Sequence, residues 1–144
     1  MELHSAGEDA IIVYLGHATS PEVAARVQAA VTAVTQTLGP DLVDLVPSYA
    51  SLLIIYDPLQ TDHLSVSHRV RAALQSLQSL QAADMDAGRT VILPVYYAPE
   101  SGEDLEALAA NAGLSIEEVI ALHSGSEFRV YAIGFAPGFA YLGQ

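Results

Sequence analysis

The order of strand-like and helix-like segments between residues 10 and 97 is the feature that most constrains this fold. Short apolar, β-rich runs and helical apolar stripes alternate there: runs at 10–15, 42–46, 52–56 and 90–97, stripes at 23–38 and 66–80. The resulting order is strand, helix, strand, strand, helix, strand. Because crossover connections are right-handed, this order predicts a ferredoxin-like sandwich, with both helices on one face of an antiparallel sheet of four strands.

Local signals mark the ends of several of these elements. Ser20 and Pro21 are typical of an N-cap and a first helical residue, and Gly39-Pro40 ends the helix that they begin. The two middle strands are separated only by residues 47–51, which predicts a hairpin. The fourth strand is predicted at Thr90–Tyr97.

Beyond the fourth strand, the pattern predicts two short helices around Gly113. Residues 104–112 carry an apolar stripe that Gly113 ends, and Ser115 with Glu118 is a capping box for a second helix that ends at His123. The segment 103–123 resembles a helix-turn-helix, but it carries five acidic residues and no lysine or arginine. Recognition helices donate hydrogen bonds to bases and phosphates, so we expect a packing role and not DNA binding.

The composition excludes several kinds of chemistry. The sequence has no cysteine and no lysine, and its five basic side chains are all arginine, which rules out thiolate catalysis, Schiff bases and a lysine-containing phosphate loop. The net charge of −12 disfavours nucleic acid. No apolar run approaches the roughly 20 residues of a membrane helix, and the acidic N-terminus is unlike a signal peptide. We expect a cytoplasmic protein that binds no nucleic acid, membrane or metal.

The C-terminal segment places a glycine-rich loop after a strand pattern at 128–133. Pro137-Gly138 suits the two centres of a type II turn, because proline presets φ and glycine accepts a positive φ. Between Gly134 and Gly143 there is no Ser, Cys, His, Asp or Glu. Any chemistry in this loop therefore depends on main-chain donors and on shape.

Three aromatic side chains interrupt these glycines. Phe135, Phe139 and Tyr141 either wall an apolar ligand slot or form the core of an incomplete barrel, and the pattern favours neither. No strand partner for residues 128–133 follows, so we expect the chain to be a fragment of a longer domain.

A few polar residues are candidates for the site. His123 is either a helix-ending or core histidine, or it faces the glycine loop as a proton donor or ligand contact. Tyr96 and Tyr97 should lie on opposite faces of the fourth strand, so that one of them lines a pocket. Arg129 is one of few cations and is a candidate for an anion contact.

The segment 134–143, Gly-Phe-Ala-Pro-Gly-Phe-Ala-Tyr-Leu-Gly, resembles the signature of the allophanate hydrolase subunit 1 / KipI family. Members include the B subunit of bacterial ATP-dependent 5-oxoprolinase. The likeness extends to other stretches, at 45–53, 56–58, 118–124 and 128–131. It implies an α+β protein with a ferredoxin-like domain at 1–89 and, at 90–144, the start of a cyclophilin-like β-barrel that this chain leaves incomplete.

The resemblance implies alternative roles. In the first, the protein acts with the A and C subunits of that enzyme to open 5-oxo-L-proline to L-glutamate at the expense of ATP, which the partner subunit binds or shares. In the second, as in KipI, it binds a sensor histidine kinase and blocks autophosphorylation. A role related to allophanate hydrolase or urea carboxylase is a third. We favour the first, because an aromatic-glycine loop suits a small-molecule slot.

These considerations predict a set of site residues. We predict His123 as the catalytic residue. The predicted substrate-binding residues are Tyr97, Arg129, Gly134, Phe135, Pro137, Gly138, Phe139 and Tyr141.

Overall fold

A computed structural model describes residues 1–75, 77 and 89–143. These residues form an α+β structure, as predicted, and the chain divides into two compact units. The first unit comprises Met1–Ala87 with Val130–Leu142, and the second comprises Gly88–Arg129 with Gly143–Gln144. The predicted domain boundary between residues 89 and 90 stays a prediction, as do the ferredoxin-like and cyclophilin-like assignments.

The first unit contains a four-stranded antiparallel sheet. Its strands are β1 (Glu2–Ser5), β2 (Ala10–Tyr14), β3 (Leu42–Pro47) and β4 (Ser51–Tyr56). Their order across the sheet is β1-β2-β4-β3, and the β3–β4 hairpin lies where the sequence predicts it. At the centre of the sheet, Ile54 pairs with Ile11 on one side and Leu45 on the other, and its side chain is fully buried.

Two amphipathic helices supply the rest of this core. The helix α1 (Pro21–Leu38) begins at the predicted N-cap, where the Ser20 hydroxyl accepts a hydrogen bond of 3.2 Å from the Val23 N–H. The helix α2 is His63–Gln75. Their buried side chains recur every three or four residues, which is the spacing of one helical face: Val27, Ala30, Val34 and Leu38 on α1, and Val66, Val70 and Leu74 on α2. Leu77 also packs against this core, whereas the rest of the predicted stripe, to Leu80, lies outside the described residues.

An arginine on α2 satisfies the C-terminal end of α1. The Arg69 guanidinium donates to the Asp41 carboxylate at 2.6 Å and to the backbone carbonyls of Thr37 and Leu38. A cation at this place neutralises the negative end of α1 and pairs carbonyls that the helix leaves without partners.

The predicted fourth strand is wrong. Residues 90–97 are not a strand in the structure, and the sheet position beside β2 is taken by β1 at the N-terminus. The β1–β2 pair is joined by a short turn in which the Ala6 N–H donates to the Ala10 carbonyl at 2.9 Å and Gly7 has a φ of 134°. Closing so short a loop costs less entropy than closing a long one, and Pro94 removes a ladder donor from the competing segment.

The second unit contains the two predicted short helices, α3 (Leu105–Ala112) and α4 (Ile116–Ser124). Gly113 ends α3 in a left-handed conformation, with φ 67° and ψ 30°. The predicted capping box begins α4, since the Ser115 hydroxyl accepts from the Glu118 N–H at 3.2 Å while the Glu118 carboxylate accepts from the Ser115 N–H at 2.7 Å.

Candidate functional site

The glycine-rich loop connects two paired strands, β5 (Arg129–Ile133) and β6 (Ala140–Gly143). The prediction that β5 lacks a partner within the chain is therefore wrong: the loop folds back, and the residues after it supply the pairing. The Gly134 N–H donates to the Phe139 carbonyl at 3.0 Å and closes the loop at its base.

The predicted type II turn is present at the tip of the loop. The Phe139 N–H donates to the Ala136 carbonyl at 3.0 Å, three residues back, and Gly138 has a φ of 79°. A positive φ at the second centre of a turn is the mark of type II and favours glycine. The local pattern of Pro137 followed by Gly138 was sufficient to predict this geometry.

The loop also holds a non-glycine residue in the left-handed region. Phe135 has a φ of 59°, and the Ala136 N–H donates across it to the Gly134 carbonyl at 2.7 Å, which makes a three-residue turn. Such a conformation costs roughly 1–3 kcal/mol for a side chain other than glycine. Within the part of the chain that the structure describes, the N–H groups of Phe135 and Gly138 have no acceptor. The loop therefore offers two main-chain donors.

Aromatic rings form a continuous row along this loop. The Phe135 and Phe139 ring centroids are 5.7 Å apart, and those of Phe139 and Tyr141 are 5.3 Å apart, both in edge-to-face arrangements. Their exposed fractions fall along the row from 91% at Phe135 through 49% at Phe139 to 37% at Tyr141. All three rings are at least partly exposed, and both alternatives for them, an apolar ligand slot and the core of an incomplete barrel, stay predictions.

Sequence reasoning missed one member of this row, Tyr49. Its ring lies 6.4 Å from Tyr141 and 6.0 Å from Tyr131, the latter nearly parallel at 17°. Tyr49 belongs to the turn between β3 and β4, 82 residues before Tyr131 in the chain (131 − 49). The only local signal was a lone aromatic residue in a predicted turn, and nothing in the spacing related it to the C-terminal loop.

Two other predicted residues meet in the second unit. The Tyr97 hydroxyl and His123 Nδ1 are 2.6 Å apart, although 26 residues separate them in the chain. A neutral His123 that accepts from this hydroxyl at Nδ1 carries its own proton at Nε2. The imidazole also packs on Phe128 at 5.4 Å, beside an open, mostly apolar concavity of about 340 Å³ whose lining includes Leu108 and Leu122.

The remaining predicted residues belong neither to the aromatic row on the loop nor to the Tyr97–His123 pair. Tyr96 is exposed and bonds Glu100 at 2.9 Å, so its predicted place on a strand face opposite Tyr97 is wrong, because 90–97 is not a strand. Arg129 begins β5 and is exposed, and its guanidinium makes no hydrogen bond or ion pair with any described residue. Within the described ranges, no group of three or more His, Asp or Glu side chains is arranged to hold a metal ion.

The whole chain matches a family model. The model describes the carboxyltransferase domain, subdomain C and D, and it matches residues 1–144. The chain belongs to this carboxyltransferase-domain family. The resemblance seen in the glycine-aromatic segment is thereby confirmed, because the curated relatives of the chain include proteins named as the B subunit of 5-oxoprolinase.

Two such relatives align over almost all of the chain. The 5-oxoprolinase B subunit of Bacillus subtilis (strain 168) is 32% identical over 149 residues, covering 99% of this chain and 62% of that protein. The protein of the same name from Escherichia coli O157:H7 is 30% identical over 140 residues, covering 96% of this chain and 61% of that protein. The chain thus spans about three fifths of the length of these relatives.

A solved structure shares the fold. The crystal structure of TTHA0988 in space group P6522 superposes with a TM-score of 0.67 and 35% sequence identity, covering 93% of this chain and 24% of that one. Among the helices that the structure describes, none is long and apolar enough to cross a membrane.

Proposed function

We propose that this chain acts as the B subunit of a 5-oxoprolinase, in a complex with the A and C subunits that opens 5-oxo-L-proline to L-glutamate at the expense of ATP. The observation that carries the proposal is the identity of 32% and 30%, over 99% and 96% of the chain, to two relatives of that name. The kinase-inhibitor alternative gains no support from these relatives.

The glycine-aromatic loop suits a small cyclic amide. The substrate is a flat five-membered lactam, and an aromatic wall formed by Phe139 and Tyr141 offers it apolar contact area. Opening the lactam places negative charge on its carbonyl oxygen. The Phe135 and Gly138 N–H groups, held by the turns on either side, are preorganised donors for such an oxygen or for a phosphoryl group attached to it.

ATP enters the reaction as a co-substrate that activates the lactam carbonyl. Transfer of the γ-phosphoryl group to the carbonyl oxygen gives ADP and a phosphorylated lactam. One water then adds at that carbon and the C–N bond breaks, which leaves an open-chain acyl phosphate, and a second water hydrolyses this acyl phosphate to glutamate and phosphate. The chain has no lysine with which to build a Walker loop. We therefore propose that ATP is bound by a partner subunit or at a site shared with one.

His123 is proposed as a proton donor in this reaction. The Tyr97 hydroxyl, 2.6 Å from Nδ1, fixes the ring so that the Nε2 proton of the neutral imidazole remains available.

The test is reconstitution. The full chain, purified with the A and C subunits, is assayed for glutamate release that requires both ATP and 5-oxoproline. His123→Asn should lower kcat by about 100-fold or more, because a general acid contributes on the order of 10²–10⁴. Exposed His17 offers the control, and His17→Asn should retain full activity. A wild-type complex that releases no glutamate refutes the proposed function, and a fully active His123→Asn complex refutes the role of His123.

A further inference from the structure

We propose that Tyr49 is a positioning residue for the glycine-rich loop between β5 and β6. Tyr49 holds Tyr141, and through Tyr141 the Phe139 ring, in the orientation that forms the aromatic wall. Tyr49 lies in the β3–β4 turn of the four-stranded sheet, far from the loop in sequence. The Tyr49 ring therefore connects the four-stranded sheet to the exposed glycine-rich loop.

The turn that carries Tyr49 is firmly held. The Ser48 N–H donates to the Ser51 carbonyl at 2.9 Å, which closes the turn on itself. The Leu15 N–H donates to the Ala50 carbonyl at 2.8 Å, which fastens the turn to the end of β2. The backbone on both sides of Tyr49 is therefore tied to the sheet by hydrogen bonds. The conformational freedom that remains at this position is that of the Tyr49 side chain.

The Tyr49 ring is fixed on one side and acts on the other. It stacks on Tyr131 with ring planes 17° apart, and the Tyr131 side chain is only 7% exposed. It meets Tyr141 edge-to-face, at 62°, and Tyr141 in turn meets Phe139 at 5.3 Å. A buried ring thus sets the plane of Tyr49, which sets the position of Tyr141.

The loop needs such a support. A hairpin of two short strands is marginally stable by itself, and β6 has only four residues. The loop also stores the strain of Phe135 at a φ of 59°, which persists only where surrounding contacts determine the conformation. The ring contact between Tyr49 and Tyr141 is one such surrounding contact, and it comes from outside the β5–β6 hairpin.

The first test measures loop order without a ligand. Amide hydrogen exchange in the full chain is followed at Gly134 and Phe139, whose N–H groups close the loop. Tyr49→Ala should speed exchange there by about tenfold, because two ring pairs are lost, whereas Tyr49→Phe retains both rings and should stay within about twofold. Tyr14→Ala is the matched control, since Tyr14 is 41% exposed against 38% for Tyr49 and its ring contacts His4.

The second test measures catalysis and rests on the proposed function. In the reconstituted complex, Tyr49→Ala should raise KM for 5-oxoproline about tenfold and change kcat less than about twofold, because a loosened wall weakens ground-state and transition-state binding alike. Tyr49→Phe should restore the wild-type KM. A general loss of folded protein would lower the apparent kcat and leave KM unchanged, so the two explanations separate.

The outcomes decide the inference in either case. Unchanged exchange in Tyr49→Ala overturns it, and so does Tyr49→Phe behaving like Tyr49→Ala. If Tyr49→Ala does not fold, Tyr49→Leu, which keeps apolar bulk without a flat ring, is measured in its place with the same expected result. If the wild-type complex shows no oxoprolinase activity, the proposed function fails and the exchange measurement alone decides the role of Tyr49.

Discussion

Replacing Tyr56 by phenylalanine tests the buried polar contact that joins three parts of the first unit. The Tyr56 ring is 1% exposed, and its hydroxyl donates to the Glu8 carbonyl at 2.8 Å. The same oxygen lies 3.1 Å from His63 Nδ1, at the start of α2. Because the hydroxyl has one proton and gives it to Glu8, the His63 Nδ1–H is the donor to Tyr56.

The expected loss of stability follows from these two hydrogen bonds. Each contributes about 1 kcal/mol net, and the Glu8 carbonyl belongs to an exposed residue that water can reach in the variant. Tyr56→Phe should therefore lower the free energy of unfolding by about 1–2 kcal/mol, with an unchanged dependence on urea concentration. Tyr14→Phe is the control, since the Tyr14 hydroxyl has no hydrogen-bond partner among the described residues and its loss should cost little.

The effect should depend on pH with a definite sign. Burial raises the pKa of Tyr56 above its ordinary value of 10.0, and the nearby Asp9 and Asp62 carboxylates raise that pKa further. A raised pKa in the fold means that stability is fully present below about pH 10 and declines as pH rises through the folded-state pKa. Phenylalanine cannot ionise, so the stability gap between wild type and Tyr56→Phe should narrow above about pH 10. Equal urea midpoints at neutral pH, or a gap that is constant at alkaline pH, would refute this reasoning.

Three further predictions concern glycines and a helix cap. Gly138→Ala should destabilise the hairpin by about 1–2 kcal/mol in urea unfolding, because the φ of Gly138 is 79°. Gly134→Ala should be neutral within about 0.5 kcal/mol, since the added Cβ would lie 3.6 Å from the nearest atom. Equal losses of stability in the two variants would contradict this prediction. Gly16→Ala should cost about 1–3 kcal/mol, because its Cβ would lie 2.6 Å from a Val23 methyl group, and combining it with Val23→Ala should recover part of that loss in a double-mutant cycle. Asp62 accepts hydrogen bonds from the backbone N–H and the hydroxyl of Ser65, and these lower the pKa of the Asp62 carboxyl below 3.8. The stability that the Asp62 carboxylate contributes is therefore present above that pH and is lost as pH falls through the lowered pKa. Asp62→Asn keeps an accepting oxygen and should remove this acid-dependent loss; an unchanged acid profile of the urea midpoint would count against the assignment.

The site was partly predictable from the sequence. The type II turn at Pro137-Gly138 was predicted correctly because both residues act on their own φ angles. His123 and Tyr97 were each predicted as site residues, but their hydrogen bond was not, since Tyr97 was assigned to a strand that does not exist. Tyr49 was not predicted at all. Its contacts depend on how a distant turn meets the hairpin, and no local spacing encodes that.

The sequence by itself determined the local structure of this protein. The cap at Ser20, the end of α3 at Gly113, the capping box at Ser115 and the buried helix stripes all follow from interactions between residues at most four positions apart. The tertiary structure alone decided which strand lies beside β2 and which rings meet on the loop. An alternating or apolar run indicates that a segment can form a strand, but it does not identify the strand that pairs with it. Pairing depends on the competition between loop closure, ladder hydrogen bonds and packing over the whole chain.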